Sequence, residues 1–316
     1  MIASHSPYPP CVWLADTPPC RDLTGGKGAS LSELMALGAP APPAFAVTAP
    51  AYAAFVAGLC VSAMDATPAA MQRAMLTAPL PPALGAALAE NWAAMQARAG
   101  ADVALAVRSS ATVEDGAEHS FAGQHDTILG VRTLPELEAA LRQCWASLWS
   151  ERAVSYRRGA LIAAEPQMAV VVQQMIRSDV SFIAFTDDPL GARPGCAVIS
   201  AAWGLGESLV SGLVTPDQIV VAPDGAVVER QIGDKQIMVI PDASGAGTRE
   251  VAVPRLLRTA PALTDAQAGA IATLAREVAG RLGYAADFEG AIANGEIVLF
   301  QARPITTLAD LPLAGD

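Results

Sequence analysis

The chain has 316 residues, 52% of them hydrophobic and 5% aromatic, and its 20 Lys+Arg against 31 Asp+Glu leave a net charge of −11. That length buries a sizeable core and suits one large domain or two lobes, of which two lobes are expected. The acidic balance argues against a nucleic-acid backbone or an anionic membrane surface as main partner, although a local cluster of cations would still hold a phosphate-bearing small molecule.

Five cysteines, at 11, 20, 60, 144 and 196, are odd in number and show no CxxC spacing, so neither a disulfide framework nor a zinc site is signalled. A cytoplasmic setting is expected. No apolar run approaches the roughly 20 residues that span a bilayer, and the opening MIASHSPYPP lacks the charged and apolar regions of a signal peptide.

In chain order, residues 27–37 place Leu31, Leu34 and Met35 at helical spacing, with Ser30 and Glu33 as a capping pair and Gly38 as a stop. The stretch TGGKGASLSEL therefore sets one lysine between glycines directly ahead of a helix. Glycines 25, 26 and 28 let the backbone turn tightly and expose N–H groups, the helix presents its positive end, and Lys27 adds a mobile charge. Such a turn suits a nucleotide phosphate, but the same residues also make an ordinary solvated turn, and GxxxxGK[ST] is absent.

APAPPAFAVTAPAYAAF follows as a loop into a strand, and residues 83–99 form an alanine-rich helix. VALAV, from Val103, is a short buried strand broken by the polar run RSSATVEDGAEHSFAGQHD before ILGV resumes. An arginine, serines, a threonine and two acids there lead into the small-residue loop SFAGQ, the composition of a loop that closes over a ligand or of a surface loop held by Asx and Ser turns. Residues 134–158 read as one long helix with Leu134, Leu137, Leu141, Trp145, Leu148 and Trp149 on its apolar stripe. The expected division is an N-terminal lobe over 1–173, a C-terminal lobe over 174–310 and a tail over 311–316.

The second lobe reads as antiparallel sheet, from MAVVVQQM, FIAFT, CAVISAAW and DQIVVAPDGAVVER, the last a hairpin around Asp224-Gly225. A helix over 264–282 and a closing hairpin, ADFEGAIANGEIVLFQARP, complete it, with no internal repeat at a fixed period. In that hairpin Asp287 and Glu289 share one strand face, and Gln301 and Arg303 share one on the next. A two-residue Asn294-Gly295 turn would set Glu289 opposite Phe300 and leave the carboxylates away from Gln301. A three-residue loop, Ala293-Asn294-Gly295, pairs Asp287 with Gln301 and brings Glu289, Gln301 and Arg303 to one face; this loop is the expectation. Two acids and an amide carbonyl then make an oxygen-rich site of the kind Mg²⁺ prefers, with an arginine beside it for phosphate oxygens; otherwise the segment is an exposed charged hairpin.

Together GGKGASLSEL, GAPAPPAFAVT, AVRSSATVEDGAEHSFAGQHDT, MAVVVQQMI, FTDDP, GLGESLVSGLVTPD and DFEGAI…FQARPITT resemble, in family order over residues 24–307, the ATP-binding domain of the phosphoenolpyruvate synthase and pyruvate phosphate dikinase family. The same domain serves rifampin phosphotransferase and phenylphosphate synthase. The resemblance implies an α+β, ATP-grasp fold with ATP held between two lobes. It implies that Lys27, Arg108 and Arg303 contact phosphates and carry catalysis, and that the loop around Gly123 and Gln124 covers them. Gln174, Met175 and Ile176 would face adenine, Glu207 would line the cleft, and Glu289 and Gln301 would hold Mg²⁺, with Asp287 as a further candidate ligand.

Two departures stand out. Phe182 occupies a position where the family usually has glycine, and a bulky side chain there is expected to alter a turn or narrow the cleft. The family's phosphohistidine motif is absent: the histidines are His5, His119 and His125. The resemblance thus implies a stand-alone ATP-binding subunit that passes the β-phosphoryl of ATP to a histidine on a separate swivelling-domain protein, leaving AMP and phosphate. That partner would select a small-molecule acceptor such as pyruvate, a phenol or a natural-product hydroxyl. A direct small-molecule kinase and a non-catalytic ATP sensor are the alternatives.

Overall fold

The computed structural model describes residues 8–59, 67–112, 127–159, 167–243 and 247–306. The chain forms two compact units: Met1–Glu33, Pro43–Met175 and Ser244–Gly247 make the first, and Leu34–Pro42, Ile176–Ala243 and Thr248–Asp316 the second.

In chain order the first unit holds β1 (Cys11–Trp13), α1 (Arg21–Ala36, whose residues from Leu34 on belong to the second unit), β2 (Ala44–Val47), α2 (Ala49–Ala57), α3 (Pro68–Thr77), α4 (Pro82–Ala99), β3 (Leu105–Ala111), β4 (Thr127–Val131), α5 (Leu134–Ser147), α6 (Glu151–Gly159) and β5 (Met168–Gln174). Its sheet runs β1-β2-β5-β3-β4, every neighbouring pair antiparallel. MAVVVQQ is thus a strand of this sheet and not of the second unit. One sheet face, with Phe45, Val47, Leu105, Val107, Val170 and Val172, is buried against α2 to α5. The spacing of Leu137, Leu141 and Trp145 turns one stripe of α5 into that core, where Trp145 stacks on Phe55 with ring centroids 4.9 Å apart.

Three local readings are corrected. The expected helix over 134–158 is two helices, because Ser150 interrupts it: its Oγ accepts the Ala153 N–H at 3.2 Å and starts α6 afresh. The strand begun by VALAV does not stop at the polar run; β3 continues through Arg108, which pairs with both β4 and β5, and through Ser109 and Ser110, which pair with β5. Ser30 and Glu33 do not cap α1, which already starts at Arg21 and kinks at Gly25, so Ser30 lies inside it. Gly38 does end that segment in the left-handed region, at φ 70°.

The second unit holds β6 (Val180–Phe185), β7 (Ala197–Trp203), α7 (Glu207–Val210), β8 (Asp217–Val221), β9 (Val227–Gln231), β10 (Ile237–Pro241), β11 (Thr248–Ala252), α8 (Asp265–Leu282), β12 (Ala286–Ala293) and β13 (Glu296–Pro304). Six strands form an antiparallel sheet in the order β13-β12-β6-β7-β8-β9, and β10 and β11 pair separately. α8 starts in a capping box between Thr264 and Gln267 and ends at Gly283, left-handed at φ 82°. It buries Ile271, Ala275 and Val278, and Arg230 on β9 ties to its start through Leu263 O and Asp265.

Register places Phe182, Ala184 and Phe288 on one face of this sheet, and Ile183, Asp287 and Glu289 on the other. Phe182 is 1% exposed, so its ring is core and points away from the acidic face. It fits because its cross-strand partner is Gly290, where a Cβ would lie 2.4 Å from the ring.

A fully buried ion pair joins loops around β8. Asp217 accepts from Lys235 Nζ and from the N–H groups of Gly233 (2.9 Å) and Ala262 (2.7 Å), and both pair members are 0% exposed. Removing one member strands a buried charge. Lys235→Ala is therefore expected to lower unfolding free energy in urea by about 3–5 kcal/mol; a loss below about 1 kcal/mol, the range of exposed pairs, would contradict this role.

Candidate functional site

Each unit brings sequence-singled residues together on one sheet face. In the first unit, Arg108 and Ser110 lie on the face of β3 opposite the core, since Arg108 pairs with Val171 and Ser110 with Ala169 while the core takes Val170 and Val172. The glycine-lysine turn packs on this face. Gly25, at φ 71°, abuts Ser110 so closely that a Cβ would lie 2.0 Å from the Ser110 carbonyl oxygen, and a Cβ on Gly28 would lie 3.5 Å from Val171. The Ser110 hydroxyl donates to Thr24 O at 2.8 Å and accepts the Gly28 N–H at 3.1 Å.

Gly25 is the kink, so the helical run resumes after it with no side chain at the position that normally caps. Ser110 supplies the capping oxygen from β3. The expectation that all three glycines expose their amides is corrected accordingly: the Gly28 N–H is committed to Ser110. Lys27 and Arg108 are both half-buried.

Gln174 closes β5, and its N–H donates to Pro43 O at 2.9 Å, as that of Met175 does to Ala104 O at 2.8 Å. Those two amides are engaged with neighbouring backbone carbonyls. Met175 is nearly buried, and Ile176 half-buried. Gln173, not singled out from sequence, lies on the Arg108 and Ser110 face opposite Ala106. It is 2% exposed, and its Nε2 has no hydrogen-bond partner among the described residues. Gly123, Gln124, His5, His119 and His125 lie outside the described residues.

In the second unit the β12–β13 hairpin builds the acidic face. The expected three-residue loop is wrong: Ala293 pairs with Glu296 around a two-residue Asn294-Gly295 turn, both at positive φ (51° and 84°), the geometry an Asn-Gly turn favours. That turn alone would separate Glu289 from Gln301. A bulge restores them, because the register shifts between Glu289 and Gly290 so that Glu289 pairs with Gln301 and Gly290 with Leu299, leaving Phe300 as the extra residue. Asp287 pairs with Arg303, not Gln301.

Asp287, Glu289, Gln301 and Arg303 consequently share one face. Arg303 Nη2 lies 3.7 Å from Glu289 Oε1, and Gln301 is 2% exposed. The donor types, two carboxylates and an amide carbonyl, are hard oxygens that fit Mg²⁺. Among the described residues no three His, Cys, Asp or Glu side chains cluster for a metal. Glu207 opens α7 at the surface, where its Oε2 accepts from Thr248 Oγ1 at 2.9 Å. The preceding Gly204, at φ 78°, bridges to Val239 of β10.

Among the described residues no helix is long and apolar enough to cross a membrane. Residues 21–312 match the family described as pyruvate phosphate dikinase, AMP/ATP-binding domain. The prodigiosin synthesizing transferase PigC of Serratia marcescens is 42% identical over 90% of this chain and 32% of its own length. A rifampicin phosphotransferase of Streptomyces sviceus is 39% identical over 93% and 35%, and a probable phosphoenolpyruvate synthase of Methanocaldococcus jannaschii 36% identical over 91% and 26%. The chain thus spans about a third of the length of these relatives. Among solved structures, a D-alanine-D-alanine ligase from Coxiella burnetii is similar at 11% identity over 88% of this chain and 47% of that one, with a TM-score of 0.35, a distance at which nothing is carried over. The α+β chain belongs to the pyruvate phosphate dikinase AMP/ATP-binding domain family.

Proposed function

We propose that the chain is the MgATP-binding unit of a dikinase-type phosphotransferase. In this reading the two units are ATP-grasp lobes, and the β-phosphoryl of ATP passes to a histidine outside the 316 residues, on a swivelling domain of a partner protein. Overall, ATP, water and an acceptor hydroxyl give AMP, inorganic phosphate and the phosphorylated acceptor. The observation that supports it is the face shared by Asp287, Glu289, Gln301 and Arg303, in a chain whose family binds AMP or ATP. The names of the relatives, among them a rifampicin phosphotransferase and a phosphoenolpyruvate synthase, support a small-molecule acceptor. The dependence on cellular ATP fits a cytoplasmic protein.

The residues divide the work by charge. Lys27 and Arg108 hold phosphate oxygens, and Arg303 offsets the charge that spreads over the transferring group in an in-line displacement. Glu289 and Gln301, with Asp287 beside them, would hold Mg²⁺, which screens the phosphates electrostatically when bound. Gln174, Met175 and Ile176 line the adenine end, and Glu207 borders the nucleotide.

³¹P NMR of MgATP with the purified protein, alone and with small-molecule-depleted host extract, tests the reading. AMP and phosphate formed only with extract are expected. ADP formed with a small acceptor and no protein partner would replace it with a direct kinase, and tight ATP binding without turnover under any condition would replace it with a sensor. Lys27→Ala and Arg303→Ala should each lower turnover by about 10²–10³-fold with far-UV circular dichroism unchanged, and normal rates would contradict the phosphate roles. Glu289→Ala should raise the Mg²⁺ concentration for half-maximal rate by on the order of tenfold or more; an unchanged titration would remove it from the metal set.

A further inference from the structure

Ser110 stands outside the phosphate and metal set, yet the lysine turn is built on it. Its hydroxyl makes two bonds at once, to Thr24 O (2.8 Å) before the kink and from Gly28 N (3.1 Å) after it. These are the residues on either side of Gly25-Gly26-Lys27. Its own backbone fills the space where any side chain at Gly25 would sit, and the hydroxyl is enclosed, with Ser110 at 0% exposure.

Without that oxygen the Gly28 amide is a buried donor with no acceptor, and three flexible residues lose the clamp that limits them. Ser110 also sits two residues from Arg108 on the same strand face. One rigid strand therefore fixes one cation directly and the other through the turn.

We infer that Ser110 is the positioning residue for Lys27, a cap supplied from β3 that holds the lysine turn in the geometry that grips nucleotide phosphate. The inference rests on the MgATP reading above. Ser110 touches no reacting atom in this role, so its loss acts on phosphate affinity and leaves the nucleoside end alone.

The test is calorimetric titration of the full chain with MgATP and, separately, with adenosine. Ser110→Ala is expected to weaken MgATP binding about tenfold, the effect of losing one buried hydrogen-bonding group, with adenosine binding unchanged within about twofold. Ser110→Cys, which keeps the size but bonds more weakly, falls between; it also serves if the alanine variant does not fold. Ser109→Ala, a buried serine on the opposite face of the same strand, leaves both affinities unchanged.

Coupling sharpens the test. In a Lys27→Ala background, Ser110→Ala should add no further loss, because the two residues act as one unit. Equal losses for MgATP and adenosine, or additive losses in the double variant, would overturn the positioning role. Hydrogen exchange separates this from failure of the MgATP reading: the Gly28 amide exchanges faster in Ser110→Ala if Ser110 caps the turn, whatever binds. Wild-type protein that binds no MgATP overturns the functional reading and Ser110's part in it, while an unchanged Gly28 exchange rate overturns the cap itself.

Discussion

The acidic face of the second unit depends on one extra residue. In a hairpin with a period of two, an Asn-Gly turn of two residues puts Glu289 opposite Phe300 and turns Gln301 to the other side. The bulge at Phe300 shifts the ladder by one, and Glu289 meets Gln301. Its surroundings hold it there: Gly290 leaves room for the Phe182 ring and the Val298 carbonyl, and the Leu299 N–H bonds outside the hairpin, to Pro40 O at 2.8 Å. A side chain at Gly290 would collide with backbone as well as ring, so the bulge and the glycine require each other.

The first unit follows the same logic of strand parity. Alternation along β3 sends Leu105 and Val107 into the core and Arg108 and Ser110 to the face where the glycine turn rests. The turn lies close because Gly25 and Gly28 have no side chains, and the serine hydroxyl replaces the cap that a glycine cannot provide. In both units glycine allows close approach, while a neighbouring strand residue fixes the geometry.

Much of this was legible in the sequence. The apolar stripe of α5, the capped α8, the antiparallel second sheet and the closing hairpin all follow from periodicity and turn residues. What escaped were features set by tertiary partners. Ser150 reads as one more residue in a helical stripe until its side chain is seen capping α6. The serines of RSS read as loop because polar residues in a strand and in a loop look alike; pairing with β5 makes them strand. The shared face of Glu289 and Gln301 was expected, but through the wrong device, because Asn294-Gly295 signals its turn clearly while a bulge at Phe300 leaves no local mark. Phe182 looked obstructive only while its strand face was unknown.

The claim that most needs direct contact with experiment is that the bulged hairpin holds the metal of a bound nucleotide. A crystal structure with Mn²⁺ in place of Mg²⁺ and a non-hydrolysable ATP analogue, with anomalous differences recorded for the manganese, addresses it in one map. The expected result is a manganese peak within coordination distance of Glu289 and the Gln301 carbonyl, with analogue phosphate oxygens completing its shell and Arg303 beside them. A bound analogue whose manganese lies away from both residues would contradict the claim.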